Sequence, residues 1–191
     1  GTTDEALRLY RDALAIRREL GDRRSLAVSL HNLGMLEQER GEIQGALSHL
    51  KEALEIRREV GDREGVVATL NAIALVYDDV GRGEEAVRLL EESLKIAREI
   101  GDKAQEALLL NNLGDVSRER GDLGRARDFL DQAMTLANEL GDRRVVAEAH
   151  RSLAELRLST EGWERAAAHA EAALSLAEEQ ASRPLVASAL R

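Results

Sequence analysis

Apolar residues recur along this chain at helical spacing, and no stretch shows the apolar–polar alternation of a half-buried β-strand. Ala46, Leu50 and Ala53, for example, fall on one face of a helix. The pattern also restarts every 40 residues, as the dipeptide Gly-Asp shows at 21–22, 61–62, 101–102 and 141–142. The sequence therefore predicts an all-α array of similar repeats.

Each repeat is expected to hold two helices. Asp22 is a good N-cap because its carboxylate can accept a hydrogen bond from a free amide of the first turn. The first helix should run to about residue 40, where Gly41 can adopt the left-handed conformation that ends helices. The second should span about 43–60 and end at Gly61. The same capping role is predicted for Asp62, Asp102 and Asp142.

Small residues occupy facing positions of the two helices in every repeat. Position 34 is small throughout the array, and position 46 and its equivalents are always alanine. A bulky residue at either place would push the helices apart, whereas Leu33 and Leu50 can fill the volume around the contact. The pattern predicts close antiparallel helix pairs with a core of Leu, Ile, Val and Ala.

Four complete repeats are predicted, flanked by two fragments. The complete repeats are 22–61, 62–101, 102–141 and 142–181. Residues 2–20 match only a second helix, with a capping box at Thr2–Glu5, and 182–191 match only the start of a first helix. Neither end resembles a polar capping repeat, so we expect a segment of a longer array.

Composition narrows the chemistry. The chain has no cysteine, one proline and a net charge of −9, so disulfide and thiolate chemistry are excluded and nucleic-acid binding is disfavoured. No apolar run approaches the ~20 residues of a membrane span, and no signal peptide is visible, which favours a cytoplasmic protein.

Motifs for catalysis or cofactors are weak. Residues 81–86 match G-x-G-x-x-A formally, but they lie between two helices rather than after a strand, and Ser48–Lys51 lacks the partner motifs of a serine–lysine site. His150 and His169 could approach each other, although packing or surface roles are preferred to a metal site. We expect no cofactor, no metal and no enzymatic activity.

The repeat resembles the tetratricopeptide repeat (TPR). The similarity rests on residues 30–34 (LHNLG), Gly41, Ala46, Leu50 and Ala53. The aromatic residue that follows Leu-Gly in the family is matched only by Tyr77, and Glu37, Ser117 and Arg157 depart from it in the other repeats. The 40-residue length resembles repeats of bacterial signal-transduction and transcription regulators, kinesin light chains and spindle-orientation adaptors.

This resemblance implies a right-handed superhelix, an α-solenoid, whose first helices line a concave face. Mapping by repeat phase gives the candidate partner-binding residues His31, Asn32, Met35, Gln38, Asn71, Leu75, Asp78, Asn111, Asn112, Asp115, Arg118, Arg151 and Glu155. Asparagine is unfavourable inside helices. Its amide could bond the backbone of an extended peptide, or equally a neighbouring helix or water.

The resulting hypothesis is a non-enzymatic scaffold that binds a protein or peptide, as the sensory or assembly segment of a larger bacterial regulator. Acidic groove residues such as Asp78, Asp79, Asp115 and Glu119 favour a cationic partner segment. The alternative is a structural spacer or self-association arm, and a lesser one is a sensor of small molecules or pheromone peptides. Direct contact with nucleic acid or membrane is not expected.

Overall fold

The computed structural model describes residues 14–160 and 166–176, and every regular element within these ranges is an α-helix. The helices are α1 (14–20), α2 (Arg23–Glu39), α3 (Ile43–Glu59), α4 (Arg63–Asp79), α5 (Gly83–Ile100), α6 (Lys103–Glu119), α7 (Leu123–Leu140), α8 (Arg143–Thr160) and α9 (166–176). The capping box at Thr2–Glu5 and the segment 182–191 lie outside the described residues.

The aspartate caps are confirmed. Asp22, Asp62 and Asp102 each accept a hydrogen bond from the amide three residues later, at 3.0–3.1 Å. Asp142 accepts one from Val145 N at 3.1 Å. The glycines that were expected to end helices have φ between 67° and 80°, a conformation that side chains with a Cβ rarely adopt. These are Gly21, Gly41, Gly61, Gly81, Gly101, Gly121 and Gly141.

The helix pairs approach each other where the small residues meet. A methyl group on Gly34 would lie 2.7 Å from Leu50 Cγ and 3.1 Å from the carbonyl oxygen of Ala46. A methyl group on Gly114 would lie 2.5 Å from Leu130 Cγ. The predicted contact between positions 34 and 46 is therefore confirmed, and the α2–α3 and α6–α7 pairs are too close for a larger residue.

The chain divides into two compact units, Gly1–Ile100 and Gly101–Arg191. In the first, Leu50 and Leu70 centre a cluster between α3 and α4, and Leu30 and Leu33 centre another between α2 and α3. In the second, Leu130 of α7 packs with residues of α8. All buried hydrophobic residues in the described ranges are aliphatic, as the small-and-large pattern predicts.

Ion pairs tie successive second helices together on the surface of the first unit. Arg18 pairs with Glu52 and Arg58 pairs with Glu92, each at 2.7 Å and each across 34 residues. These side chains are largely exposed, so each pair contributes at most about 1 kcal/mol. None of the described helices is both long enough and apolar enough to cross a bilayer.

Candidate binding face

The first helices of successive repeats lie side by side within each unit. Gln38 of α2 donates from Nε2 to Asp79 Oδ2 of α4 at 2.7 Å, and Arg118 of α6 pairs with Glu155 of α8 at 3.0 Å. We call these two surfaces the α2–α4 face of the first unit and the α6–α8 face of the second. Each face carries residues that the sequence predicts as candidates for partner binding.

The α2–α4 face is partly open and acidic. All of its predicted members are half-buried, namely His31, Asn32, Met35, Gln38, Asn71, Leu75 and Asp78. Val28 beside them is 45% exposed, whereas Met35 also packs against the α3–α4 core. Asp78 and Asp79 give this face negative charge, and none of the candidate residues mapped to it is a Lys or Arg. The face therefore combines apolar contact area with acidic side chains.

His31 contacts a buried polar cluster whose side chains come from α2, α3 and α4. Its Nδ1 lies 3.4 Å from Thr69 Oγ1, which in turn receives a hydrogen bond from Arg57 Nη1 at 2.5 Å. Arg57 is 6% exposed and also donates to the carbonyl oxygen of Gly65 at 2.6 Å. Burial, aided by the charge of Arg57, lowers the pKa of His31 to about 4. His31 is thus a neutral residue at physiological pH.

The α6–α8 face differs because its charges pair with one another. Arg151 contacts Asp115 Oδ2 at 3.4 Å and Glu155 at 2.8 Å, and Glu155 also contacts Arg118. Burial raises the pKa of Asp115 above its ordinary value, although Ser152 and Arg151 act in the opposite direction. Arg118 also pairs with Glu119 at 3.3 Å, so two arginines offset most of the charge of three acids, and this face attracts a cation less than the α2–α4 face does.

A family comparison identifies these helix pairs. The tetratricopeptide repeat model matches residues 1–59, 27–99, 65–139 and 105–179, which together cover most of the chain. The chain belongs to the TPR family. Its fold is accordingly an all-α TPR solenoid. A comparison with curated proteins gave no match.

Solved structures share this TPR fold at low sequence identity. BtubC (BKLC) from P. vanneervenii has a TM-score of 0.80 and 23% identity over 94% of this chain and 75% of its own. Nearly identical TPR-like repeats assigned to a kinesin light chain of Podosopora anserina have a TM-score of 0.72 and 20% identity. That match covers 94% of this chain and 89% of the other. A Rap protein complexed with Competence and Sporulation Factor gives 0.81 and 19%, over 91% of this chain and 48% of its own. The chain thus spans about half of that Rap protein.

One TPR face residue is placed differently from its prediction. Asn111 was expected to be exposed, but it is only 2% exposed. Its Nδ2 lies 3.4 Å from Asp115 Oδ2, the same oxygen that Arg151 of α8 contacts. The expected exposure of Asn111 is therefore wrong, because this amide belongs to the contact between α6 and α8.

Other polar groups lie inside the TPR helix pairs, and the sequence motifs did not reveal them all. Glu37 of α2 is 2% exposed, and its Oε2 is in hydrogen-bond contact with Nδ1 of His49 in α3 at 2.7 Å. The expected approach of His150 and His169 is confirmed, with Nδ1 atoms 2.9 Å apart. No cluster of three metal-ligating side chains occurs in the part of the chain that the structure describes. The sequence did not predict a role for Arg57, because its place opposite the small residue Gly65 is visible only in the structure.

Proposed function

We propose that this TPR array is a non-enzymatic scaffold that binds a protein or peptide segment along the faces of its first helices. The observation that supports this proposal best is the composition of the α2–α4 face. Leu75 and Val28 remain partly exposed there although the repeat offers an aliphatic core, and acidic residues border them. Apolar area with a charged border is what a binding surface for another protein requires.

The context we propose is the sensory or assembly segment of a larger bacterial regulatory protein in the cytoplasm. The structural neighbours support this context at the level of the fold. One is a Rap protein in complex with Competence and Sporulation Factor, and another is a plasmid conjugation gene regulator in complex with the Phr* peptide. The net charge of −9 also makes a protein a better partner than nucleic acid.

Site-specific photo-crosslinking tests this function. A photoreactive amino acid replaces Leu75 on the α2–α4 face, and a matched variant carries it at Glu55, which is exposed on α3 of the same unit. The full chain is expressed in its host and irradiated. We expect a discrete adduct with one protein from position 75 and none from position 55. Equal adduct patterns from both positions would exclude a specific face.

The alternative, self-association, is favoured by two exposed leucines in the second unit. Leu158 of α8 and Leu174 of α9 are each 60% exposed. Analytical ultracentrifugation of the wild type and of Leu158→Glu with Leu174→Glu separates the two functions. If the wild type is a dimer, the double variant is a monomer and position 75 gives no adduct, the function is self-association instead of partner binding.

A further inference from the structure

The polar cluster beneath His31 determines where the protons of that cluster lie. Thr69 has one hydroxyl proton and two acceptor lone pairs. Its oxygen lies 2.8 Å from the carbonyl of Gly65, so the proton is donated there rather than over the longer 3.4 Å separation to His31. One lone pair accepts from Arg57, and the other faces the imidazole.

The imidazole must therefore donate from Nδ1. Because Thr69 has no second proton to offer, the contact at 3.4 Å forms a hydrogen bond only if His31 carries its proton on Nδ1. Burial and the charge of Arg57 both oppose a second proton on the ring. The remaining nitrogen, Nε2, is then an acceptor with a lone pair, on a side chain that is half-buried in the α2–α4 face.

Acidic groups also lie on this face. Gln38 donates from its amide nitrogen to Asp79, and Asp78 adds a second carboxylate. The amides of Asn32 and Asn71 can donate as well as accept, which suits the backbone of a bound segment. A carboxylate side chain of a bound segment, in contrast, would meet negative charge, since none of the candidate residues mapped to this face is a Lys or Arg.

We propose that His31 is a fixed, neutral hydrogen-bond acceptor that helps to select a donor-bearing partner, namely a protein segment with a lysine or arginine side chain at the α2–α4 face. This proposal rests on the proposed binding function and adds the chemistry of the partner. It also assigns a purpose to the buried cluster, since Thr69 and Arg57 determine which ring nitrogen carries the proton.

Nuclear magnetic resonance tests the proton position without any ligand. Long-range ¹H–¹⁵N correlation spectra of the wild-type chain distinguish the two neutral tautomers and the imidazolium. We expect the Nδ1–H tautomer for His31 and a predominantly neutral ring at pH 5, because its pKa is about 4. An Nε2–H tautomer, or a predominantly protonated ring at pH 5, would overturn the proposal.

Two variants at position 69 test the link to binding. Thr69→Ser keeps the hydroxyl and should keep the Nδ1–H tautomer. Thr69→Val removes the acceptor, so the ring proton should no longer be held on Nδ1. The probe is a short capped peptide of lysine, leucine and glycine, compared with the same peptide carrying glutamate instead of lysine. We expect the lysine peptide to shift amide signals of α2 and α4 and the glutamate peptide to leave them unchanged.

Thr69→Val should bind the lysine peptide with about fivefold lower affinity than Thr69→Ser does, which is the effect of roughly one hydrogen bond. Equal shifts with both peptides, or equal affinity of the two variants, would contradict the proposed selection. Amide spectra of each variant verify its fold, and the wild-type tautomer measurement needs no variant. If photo-crosslinking at position 75 captures a partner whose contact segment lacks lysine and arginine, the binding function stands and this inference fails.

Discussion

At the scale of single residues, a polar side chain inside a repeat is stabilised by its partner on the facing helix of the pair. Glu37 is buried where the next repeat has Tyr77, and its carboxylate is satisfied by His49, whose counterpart is Leu89. The exchange is reciprocal, because an acid and an imidazole in one hairpin replace an aromatic and an aliphatic residue in the next. A buried polar pair of this kind depends on both of its members.

Removing one member should therefore cost more than replacing both. His49→Leu leaves the Glu37 carboxyl without its imidazole partner, and we expect a loss of about 3 kcal/mol in the free energy of unfolding. The double variant Glu37→Tyr with His49→Leu copies Tyr77 and Leu89 and should recover most of that loss. Urea denaturation of the three proteins measures both values. A double variant as unstable as the single one would refute the reciprocity.

The depressed pKa of His31 predicts a pH dependence. The unfolded chain binds a proton at His31 near pH 6.5, whereas the folded chain resists it until about pH 4. Stability is therefore full above pH 6.5 and is lost as the pH falls towards 4, by up to about 2 kcal/mol at pH 5. His31→Asn, which copies Asn71, should reduce this loss. Denaturation series between pH 7 and pH 5 compare the two, and parallel curves would argue against it.

At the scale of elements, the hairpins show how much of the fold the sequence could predict. Capping aspartates, left-handed glycines and the contact between Gly34 and Ala46 are local or phase-locked features, and the structure confirms them. The burial of Asn111 could not be predicted, because it depends on how closely α8 lies against α6. Repeat phase assigns a residue to a helix face, but neighbouring side chains decide how far that face is covered.

Two glycines of the second unit separate packing from helix propensity. Gly114→Ala and Gly124→Ala both gain the propensity of alanine, up to about 1 kcal/mol. A methyl group at Gly114 collides with Leu130, whereas one at Gly124 meets open space. We expect Gly114→Ala to be less stable than Gly124→Ala by about 1–3 kcal/mol. Thermal denaturation measures the difference, and equal stability would mean that α6 and α7 are not in close contact.

At the scale of the whole molecule, stability should not be uniform along the array. His150 takes the phase that Leu30, Leu70 and Leu110 hold elsewhere, and His169 takes that of Leu89 and Phe129. Burial lowers the pKa of both histidines. Repeat arrays unfold locally where the packing between neighbours is weakest. The α8–α9 pair is therefore the place where opening should begin.

Hydrogen exchange tests this distribution. We expect amides of α8 and α9 to exchange faster than those of α4, and more so as the pH falls below the ordinary histidine range, once intrinsic rates are corrected. His150→Leu with His169→Phe restores the residue types of the third repeat and should slow exchange in α8 and α9 alone. Uniform protection from α4 to α9 in the wild type would disprove a weak end.

The close approach at Gly34 and Gly114 also bears on which repeats can replace each other. Small residues at this phase alternate between glycine and alanine, as Gly34, Ala74, Gly114 and Ala154. The first and third repeats thus place glycine at the helix contact, and the second and fourth place alanine there. Exchange of 22–61 with 102–141 should preserve the hairpin interior, whereas exchange between adjacent repeats would bring glycine and alanine geometries into conflict.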